Sequence, residues 1–166
     1  MNKTIGIFGG GQLGRMMAQA ALPLNIQCSF FEAETDCPAA ILGPVFSSKD
    51  PQALQAFIAS AEVFSLEFEN TPVADVDVLT QTKTLHPPRL ALATAQNRLA
   101  EKGLFDELAI PVAPYRAVDS LQSLKQAVDE LGLPIVLKTV TGGYDGKGQF
   151  VLRSDCLLYT SDAADD

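Results

Sequence analysis

The chain is poor in the residues that build metal centres and disulfide bonds. It has one histidine, His86, and three cysteines, Cys28, Cys37 and Cys156, among 166 residues. The cysteines are odd in number and lack metal-ligand spacing, which is typical of reduced thiols in a cytoplasmic protein. His86 has no second histidine or nearby cysteine, so metal ligation and nucleophilic catalysis have little support. We predict that His86 is a turn residue.

Long apolar runs and clustered positive charge are also missing. No apolar stretch approaches the roughly 20 residues that span a membrane, and the first residues are too short for a signal-peptide core. The formal net charge is -8, whereas a nucleic-acid-binding surface needs a clustered basic face. The sequence therefore predicts a soluble globular protein with no membrane or nucleic-acid partner. Nucleotides stay compatible, because their phosphates need only a few local cations.

A strand, a glycine turn and a helix stand near the start of the chain. The pattern predicts a strand at Thr4–Phe8, a helix at Arg15–Leu22 and a second strand at Ile26–Phe31, which ends at Glu32. The glycines of Gly9–Gly14 fit G-x-G-x-x-G, with an acid about twenty residues further on. Three explanations stay open: a dinucleotide site with Glu32 on the ribose, a small-anion site at the helix N-terminus, or tight packing of helix on strand.

A polar turn follows the predicted strand Val63–Leu66. It contains Glu67, Glu69 and Asn70. The carboxyl end of a parallel strand is where open α/β sheets bind ligands. The alternative is that the two glutamates are ordinary loop residues and that Asn70 caps the following helix.

The other predicted elements complete a βαβ pattern and then a mixed region. Strands are predicted at Val45–Ser47, Thr84–His86 and Tyr115–Val118, and helices at Gln52–Ala61 (with Asp50 as N-cap), Asp75–Gln81, Ala91–Leu108 and Leu121–Leu131 (with Ser120 as N-cap). Gly103 interrupts the long helical stretch, which allows two helices. Asn97 would cap the second and place Arg98 in its first turn, where a cation opposes the helix dipole and can serve an external anion.

A second glycine loop lies within Ile135–Leu152. An apolar strand ends near Lys138, four glycines follow within seven residues, and another strand comes next. A hairpin needs only two turn residues, whereas a loop that brings backbone amides against phosphate needs this much glycine. Lys138 and Lys147 would add positive charge. The alternative is a mobile hairpin with solvated lysines.

Several sequence stretches together match the pattern of a known family. They are Gly9–Met16, Glu67–Asn70, Ala95–Arg98, Glu101–Lys102 and Leu137–Gln149. Over Lys3–Arg153 the chain resembles the ATP-grasp superfamily and, within it, the N-terminal part of the 5-(carboxyamino)imidazole ribonucleotide synthase family.

The resemblance implies a carbon–nitrogen ligase of de novo purine synthesis. In this family ATP phosphorylates bicarbonate to carboxyphosphate, and the amine of aminoimidazole ribonucleotide is then carboxylated, giving ADP and phosphate. It implies ATP and Mg²⁺ as cofactors and a homodimeric parent protein. Members continue into a larger lobe with the adenine pocket, the Mg²⁺ ligands and the contacts to the substrate phosphate. We therefore expect this chain alone to be inactive.

The resemblance also assigns site residues. The ATP-binding residues would be Arg98, Lys138, Gly143, Tyr144, Asp145, Gly146, Lys147, Gly148 and Gln149, the last seven forming a lid over the phosphates. The ribonucleotide would face Gln12, Leu13, Glu67 and Asn70. No catalytic residue and no metal ligand is assigned within this chain.

The expected fold is α/β in two parts. Residues 1–90 would form a small open parallel sheet, the pre-ATP-grasp domain, and residues 91–153 the start of an α+β ATP-grasp domain. Residues 154–166 have a small, acidic composition that suggests a truncated gene product with a foreign or disordered tail. Alternatives are a biotin-carboxylase-like ligase, a formate-dependent glycinamide ribonucleotide transformylase, a nicotinamide-dependent oxidoreductase using Gly9–Gly14, or a non-catalytic nucleotide-binding fragment.

Overall fold

The computed structural model describes residues 3–143 and 148–154. These residues form two compact units, which divide between Ala93 and Thr94. The predicted lid residues Tyr144, Asp145, Gly146 and Lys147 lie outside the described residues, as do residues 155–166 of the predicted tail. Within the described ranges, none of the helices combines the length and the apolarity that a membrane crossing requires.

A five-stranded parallel sheet forms the centre of the first unit. Its strand order is β3-β2-β1-β4-β5, and all four neighbouring pairs are parallel. The strands are β1 (Lys3–Phe8), β2 (Ile26–Glu32), β3 (Val45–Ser47), β4 (Val63–Leu66) and β5 (Thr84–His86). The predicted open parallel sheet is therefore confirmed. Because β1 is central, its carboxyl end lies between those of β2 and β4, where ligands of such sheets bind.

The helices of the first unit connect these strands. They are α1 (Gln12–Ala21), α2 (Ala53–Ser60) and α3 (Val73–Thr80), and α4 (Arg89–Ala95) follows β5. Helix α1 starts three residues earlier than predicted, so Gln12 and Leu13 lie in its first turn.

The prediction of Asp50 as an N-cap is wrong. Gln52 is the N-cap residue of α2. The Asp50 side chain instead accepts a hydrogen bond from the Gln52 amide at 2.9 Å, and its carbonyl accepts one from the Ala53 amide at 3.0 Å. These bonds form a turn before the helix, which delays the first helical residue.

Aromatic side chains fill one face of the sheet. Phe57 of α2 is fully buried, with its ring centroid 5.1 Å from those of Phe8 and Phe64, both in edge-on geometry. Edge-on pairs of this kind add to the stabilisation from apolar burial. A second cluster packs around Ile7, Cys28 and Phe30, and burial raises the pKa of the Cys28 thiol.

The second unit combines two helices with an antiparallel hairpin. These elements are α5 (Arg98–Glu107), α6 (Leu121–Leu131), β6 (Ile135–Lys138) and β7 (Gln149–Leu152). Leu124, Val128 and Leu152 form its small buried core. Ser120 caps α6 as predicted, since its Oγ accepts from the Ser123 amide at 3.1 Å.

Two predictions for the second unit are wrong. Gly103 does not interrupt a helix, because α5 runs through it; the break comes at Asn97, whose backbone is extended (φ −123°, ψ 109°). Tyr115–Val118 is not a strand and joins no sheet of the described residues. Side chains fix this segment instead: the Tyr115 hydroxyl donates to Asp106, and Arg116 pairs with Glu130.

Candidate functional site

Backbone amides of the first glycine loop are occupied by groups of the protein itself. The Gly9 amide donates to the Phe31 carbonyl at 2.9 Å. The Gly10 amide donates to Glu32 Oε2 at 3.0 Å, and the Gly11 amide to Glu67 Oε2 at 2.8 Å. Gly9 has φ +105°, a conformation that favours glycine. The loop is therefore held by acceptors from the ends of both neighbouring strands.

The Glu67 side chain fills the space beside three of these glycines. A Cβ atom on Gly9, Gly11 or Gly14 would lie 2.6, 2.4 or 2.8 Å from a Glu67 carboxylate oxygen. In a dinucleotide-binding loop this space, in front of the helix N-terminus, belongs to the pyrophosphate. The arrangement argues against the oxidoreductase alternative.

Glu32 is also used internally. Its Oε2 accepts from the Gly10 amide and its Oε1 from the Ala33 amide at 2.7 Å. The dinucleotide interpretation requires this carboxylate to bind ribose hydroxyls instead. The predicted acidic residue is thus present at the end of β2, but its carboxylate binds backbone amides of the protein itself.

The other predicted ribonucleotide contacts lie at the same edge of the first unit. Gln12 and Leu13 are exposed in the first turn of α1. They directly follow Gly11, whose amide donates a hydrogen bond to Glu67. Asn70 is exposed in the turn after β4. It does not cap α3, whose N-cap residue is Pro72 without a side-chain hydrogen bond. The alternative role of Asn70 as a helix cap is therefore wrong.

A cleft of about 520 Å³ in the second unit contains both predicted ATP-binding cations. Its size is typical of small-molecule sites, which span roughly 300–1,000 Å³. Arg98 and Lys102 of α5 line it, together with Lys138 of β6 and the extended segment that holds Tyr115 and Arg116. The structure thus brings Arg98 and Lys138 into one cavity from positions 40 residues apart.

Arg98 stands at the start of α5 with an unsatisfied donor. Its backbone amide donates to the Val140 carbonyl at 2.9 Å, next to the second glycine loop. Its buried Nε has no hydrogen-bond partner within the described residues. A buried donor without an acceptor is costly, and a guanidinium can only donate. An anionic ligand in the cleft would supply the acceptor.

Lys102, Tyr115 and Arg116 also line the cleft, and the sequence did not assign them to a site. Lys102 could have been found, because it lies four residues after Arg98 on the same helix face. Its Nζ is 5.7 Å from the centroid of the Tyr115 ring, within cation–π range. Tyr115 donates its hydroxyl proton to Asp106 Oδ2 at 2.7 Å, which raises the pKa of Tyr115.

The described part of the second glycine loop adjoins the ends of β6 and β7. Lys138 pairs with Gln149 in the strand register, and the Thr139 amide donates to the Gly148 carbonyl at 3.0 Å. Gly142, Gly143 and Gly148 all have positive φ, from 68° to 76°. These angles favour glycine, and they let backbone amides turn towards one side of a loop.

The described residues provide no obvious metal site. Within residues 3–143 and 148–154, no three His, Cys, Asp or Glu side chains are grouped so that they could hold a metal ion.

Comparison with known proteins identifies both parts of the chain. The model of the ribonucleotide synthetase pre-ATP-grasp domain matches residues 1–96, and that of the ATP-grasp domain matches residues 103–163. An N5-carboxyaminoimidazole ribonucleotide synthase from Brucella melitensis is 43% identical over 154 residues, which cover 91% of this chain and 42% of the relative.

Solved structures agree. The ADP complex of an N5-carboxyaminoimidazole ribonucleotide synthetase, purK, has a TM-score of 0.88 at 39% identity, covering 98% of this chain and 44% of its own. An Aspergillus clavatus synthase bound to ADP and 5-aminoimidazole ribonucleotide has a TM-score of 0.84 at 25% identity, covering 99% and 44%. The chain spans less than half the length of these relatives. With its N-terminal 96 residues matched, it belongs to the ribonucleotide synthetase pre-ATP-grasp family and continues into an ATP-grasp domain.

Proposed function

We propose that this chain works as the N-terminal part of an ATP-dependent carbon–nitrogen ligase. The ligase carboxylates 5-aminoimidazole ribonucleotide with bicarbonate to N5-carboxyaminoimidazole ribonucleotide, in purine biosynthesis in the cytoplasm. The names of the relatives support this reaction, and one of the solved neighbours binds both ADP and the ribonucleotide. In the proposal the active protein is a homodimer.

The observation that carries the proposal is the cationic cleft of the second unit. Arg98 and Lys138 line it, and the buried Arg98 Nε lacks an acceptor within the described residues. Phosphoryl transfer needs positioned positive charge and exclusion of water more than a covalent nucleophile. In the proposed complex both cations contact the ATP phosphates.

The hairpin would supply the lid. Gly143, Gly148 and Gln149 frame the described ends of the loop, and Tyr144, Asp145, Gly146 and Lys147 complete the proposed set. Glycines with positive φ allow the backbone to approach phosphate oxygens closely. Lys138, at the end of β6, would hold charge at the base of the lid.

In the proposal the first unit binds the ribonucleotide. Gln12, Leu13, Glu67 and Asn70 lie at the carboxyl edge of the sheet, where ligands of open α/β sheets bind. Mg²⁺ would neutralise charge on the transferring phosphoryl group. Its ligands are expected outside the described residues, in the larger lobe that the family carries.

The test is phosphate release by the full-length protein with ATP, Mg²⁺ and bicarbonate, with and without 5-aminoimidazole ribonucleotide. We expect turnover that depends on the ribonucleotide. Lys138→Ala should weaken ATP binding about tenfold to hundredfold, because it removes a charge-assisted hydrogen bond of about 1.5–3 kcal/mol. Isothermal calorimetry with a non-hydrolysable ATP analogue measures the binding part.

Lys49→Ala is the matched control. Lys49 is an exposed lysine of the first unit that pairs with Glu34, so its removal changes the net charge equally without touching the cleft. Turnover that ignores the ribonucleotide but responds to another acceptor would keep the ATP-grasp ligase and replace its substrate. Equal ATP affinity in Lys138→Ala and Lys49→Ala would refute the role of the cleft.

A further inference from the structure

We propose that Glu67 is a built-in anion that closes the first glycine loop to phosphate groups and so determines which ligands the first unit accepts. The loop has the glycine spacing of a pyrophosphate-binding turn and leads into the ten-residue helix α1. An open loop of this kind binds phosphate through its amides and the helix dipole. The proposal concerns selectivity and does not rest on the proposed ligase reaction.

Geometry is the first argument. Glu67 Oε2 lies 2.8 Å from the Gly11 nitrogen, and its carboxylate borders Gly9 and Gly14 as well. The Glu67 backbone is tied to the same place, because its amide donates to the Phe8 carbonyl at 2.8 Å. The carboxylate thus stands on the loop at a point fixed by the pairing of β1 with β4.

Hydrogen-bonding capacity is the second argument. Three consecutive amides, those of Gly9, Gly10 and Gly11, already have protein acceptors. A phosphate would have to displace Glu67 and bind beside Glu32, whose carboxylate holds the Gly10 amide. Displacing a carboxylate exchanges one anionic acceptor for another, so the phosphate gains little binding free energy.

Electrostatics is the third argument. Gly11, the N-cap residue of α1, has no side-chain cap of its own, so Glu67 supplies the negative charge that a helix N-terminus favours. Two carboxylates at the loop then repel a further anion. A ligand at this edge is selected for groups that donate hydrogen bonds, such as hydroxyl or amino groups.

A purely structural role for Glu67, as a link between β4 and α1, predicts only loss of stability when it is removed. Our proposal predicts a gain of binding. We therefore titrate the full chain with inorganic pyrophosphate at low ionic strength, using calorimetry and the backbone amide resonances of Gly9–Gly14. The variants are Glu67→Ala, which empties the space, and Glu62→Ala as control. Glu62 is exposed just before β4 and carries the same charge.

We expect no saturable binding to the wild type or to Glu62→Ala. Glu67→Ala should bind pyrophosphate saturably, at least about tenfold more tightly than the detection limit of the titration allows for the other two proteins, with shifts confined to the loop amides, because the helix N-terminus and the Gly11 amide are then free for charge-assisted hydrogen bonds. Glu67→Ser, which also empties the space, replaces the alanine variant if that one fails to fold. Wild-type binding with shifts in Gly9–Gly14, or a folded opened variant that binds no better than Glu62→Ala, would overturn the proposal.

Discussion

The two glycine loops of the chain differ in what surrounds them. The first, Gly9–Gly14, is held by Glu32 and Glu67, which lie 22 and 56 residues away from the amides they accept from. The second begins beside Lys138, and a Cβ atom on its Gly142 would meet nothing within 4 Å. Two glycine-rich loops therefore differ: acidic side chains fill the space beside the first, whereas Gly142 of the second faces open space near Lys138. The two loops thus differ in the charge of the residues around them, which their glycine content does not reveal.

Helices α1 and α5 differ in how their N-termini are capped. Helix α1 begins at a glycine without a local cap and receives its negative charge from Glu67. Helix α5 begins at Asn97, whose Oδ1 accepts from the Leu99 and Ala100 amides at 3.0 Å. Helix α5 is therefore capped locally, and its first residue, Arg98, lines the cleft. Three sets of substitutions test this comparison.

The largest expected effect separates Gly9→Ala from Gly142→Ala. An alanine at Gly9 would combine φ +105° with a Cβ atom 2.6 Å from Glu67, so we expect a loss of about 3 kcal/mol in unfolding free energy. Gly142 has φ +68° in open space, and alanine there should cost about 1 kcal/mol. Urea unfolding followed by circular dichroism gives both values.

Gly103→Ala is the control for these two variants. Gly103 lies within α5, and its Cβ atom would meet nothing within 4 Å, so alanine should stabilise the helix by up to about 1 kcal/mol. Equal losses for Gly9→Ala and Gly142→Ala would show that both loops are equally open, contrary to the comparison.

An intermediate effect is expected for Asn97→Ala. Losing the two hydrogen bonds of the cap should cost about 1 kcal/mol, because an N-cap side chain is typically worth this much. Hydrogen exchange of the α5 amides measures the loss, which should be absent from α1. Asn97→Ser keeps a cap and should recover most of the protection. An unchanged exchange rate in Asn97→Ala would mean that α5 does not depend on its local cap.

The smallest effect concerns the cleft wall. The hydrogen bond from Tyr115 to Asp106 raises the pKa of Tyr115 above its usual value of about 10. The associated stability is present below the unfolded-state pKa and is lost as the pH rises through the folded-state pKa. Asp106→Asn should lower the pKa of Tyr115, measured by tyrosinate absorbance, with Tyr115→Phe to assign the transition. Identical titration curves for the wild type and Asp106→Asn would contradict this.

Features set by neighbouring residues could be predicted from the sequence. The caps Asn97 and Ser120 each bond to amides two or three residues away, so their type and position suffice. The strands of the first unit were predictable because parallel strands buried on both faces are short apolar runs. The regular pattern of strand, turn and helix then indicated an open parallel sheet.

Features set by distant residues could not be predicted. Nothing around Gly11 indicates that Glu67 will reach its amide across 56 residues. Likewise, the short segment Tyr115–Val118 fits a strand, but its side chains bond to Asp106 and Glu130 instead. Gly103 fits a break, yet its helix continues because nothing opposes it there. Tertiary contacts decide the cases of Gly11 and of Tyr115–Val118.

The position of one carboxylate has a consequence for how this chain can change. Glu67 lies within contact distance of a side chain placed at Gly9, Gly11 or Gly14. Substitutions at these four positions therefore cannot be additive, since they share one space. A methyl group at Gly11 harms the loop while the glutamate is present and becomes tolerable once the glutamate is shortened. The four residues therefore evolve together: a substitution at one of the glycines is tolerated only after Glu67 has been replaced by a smaller residue, so the order of substitutions matters.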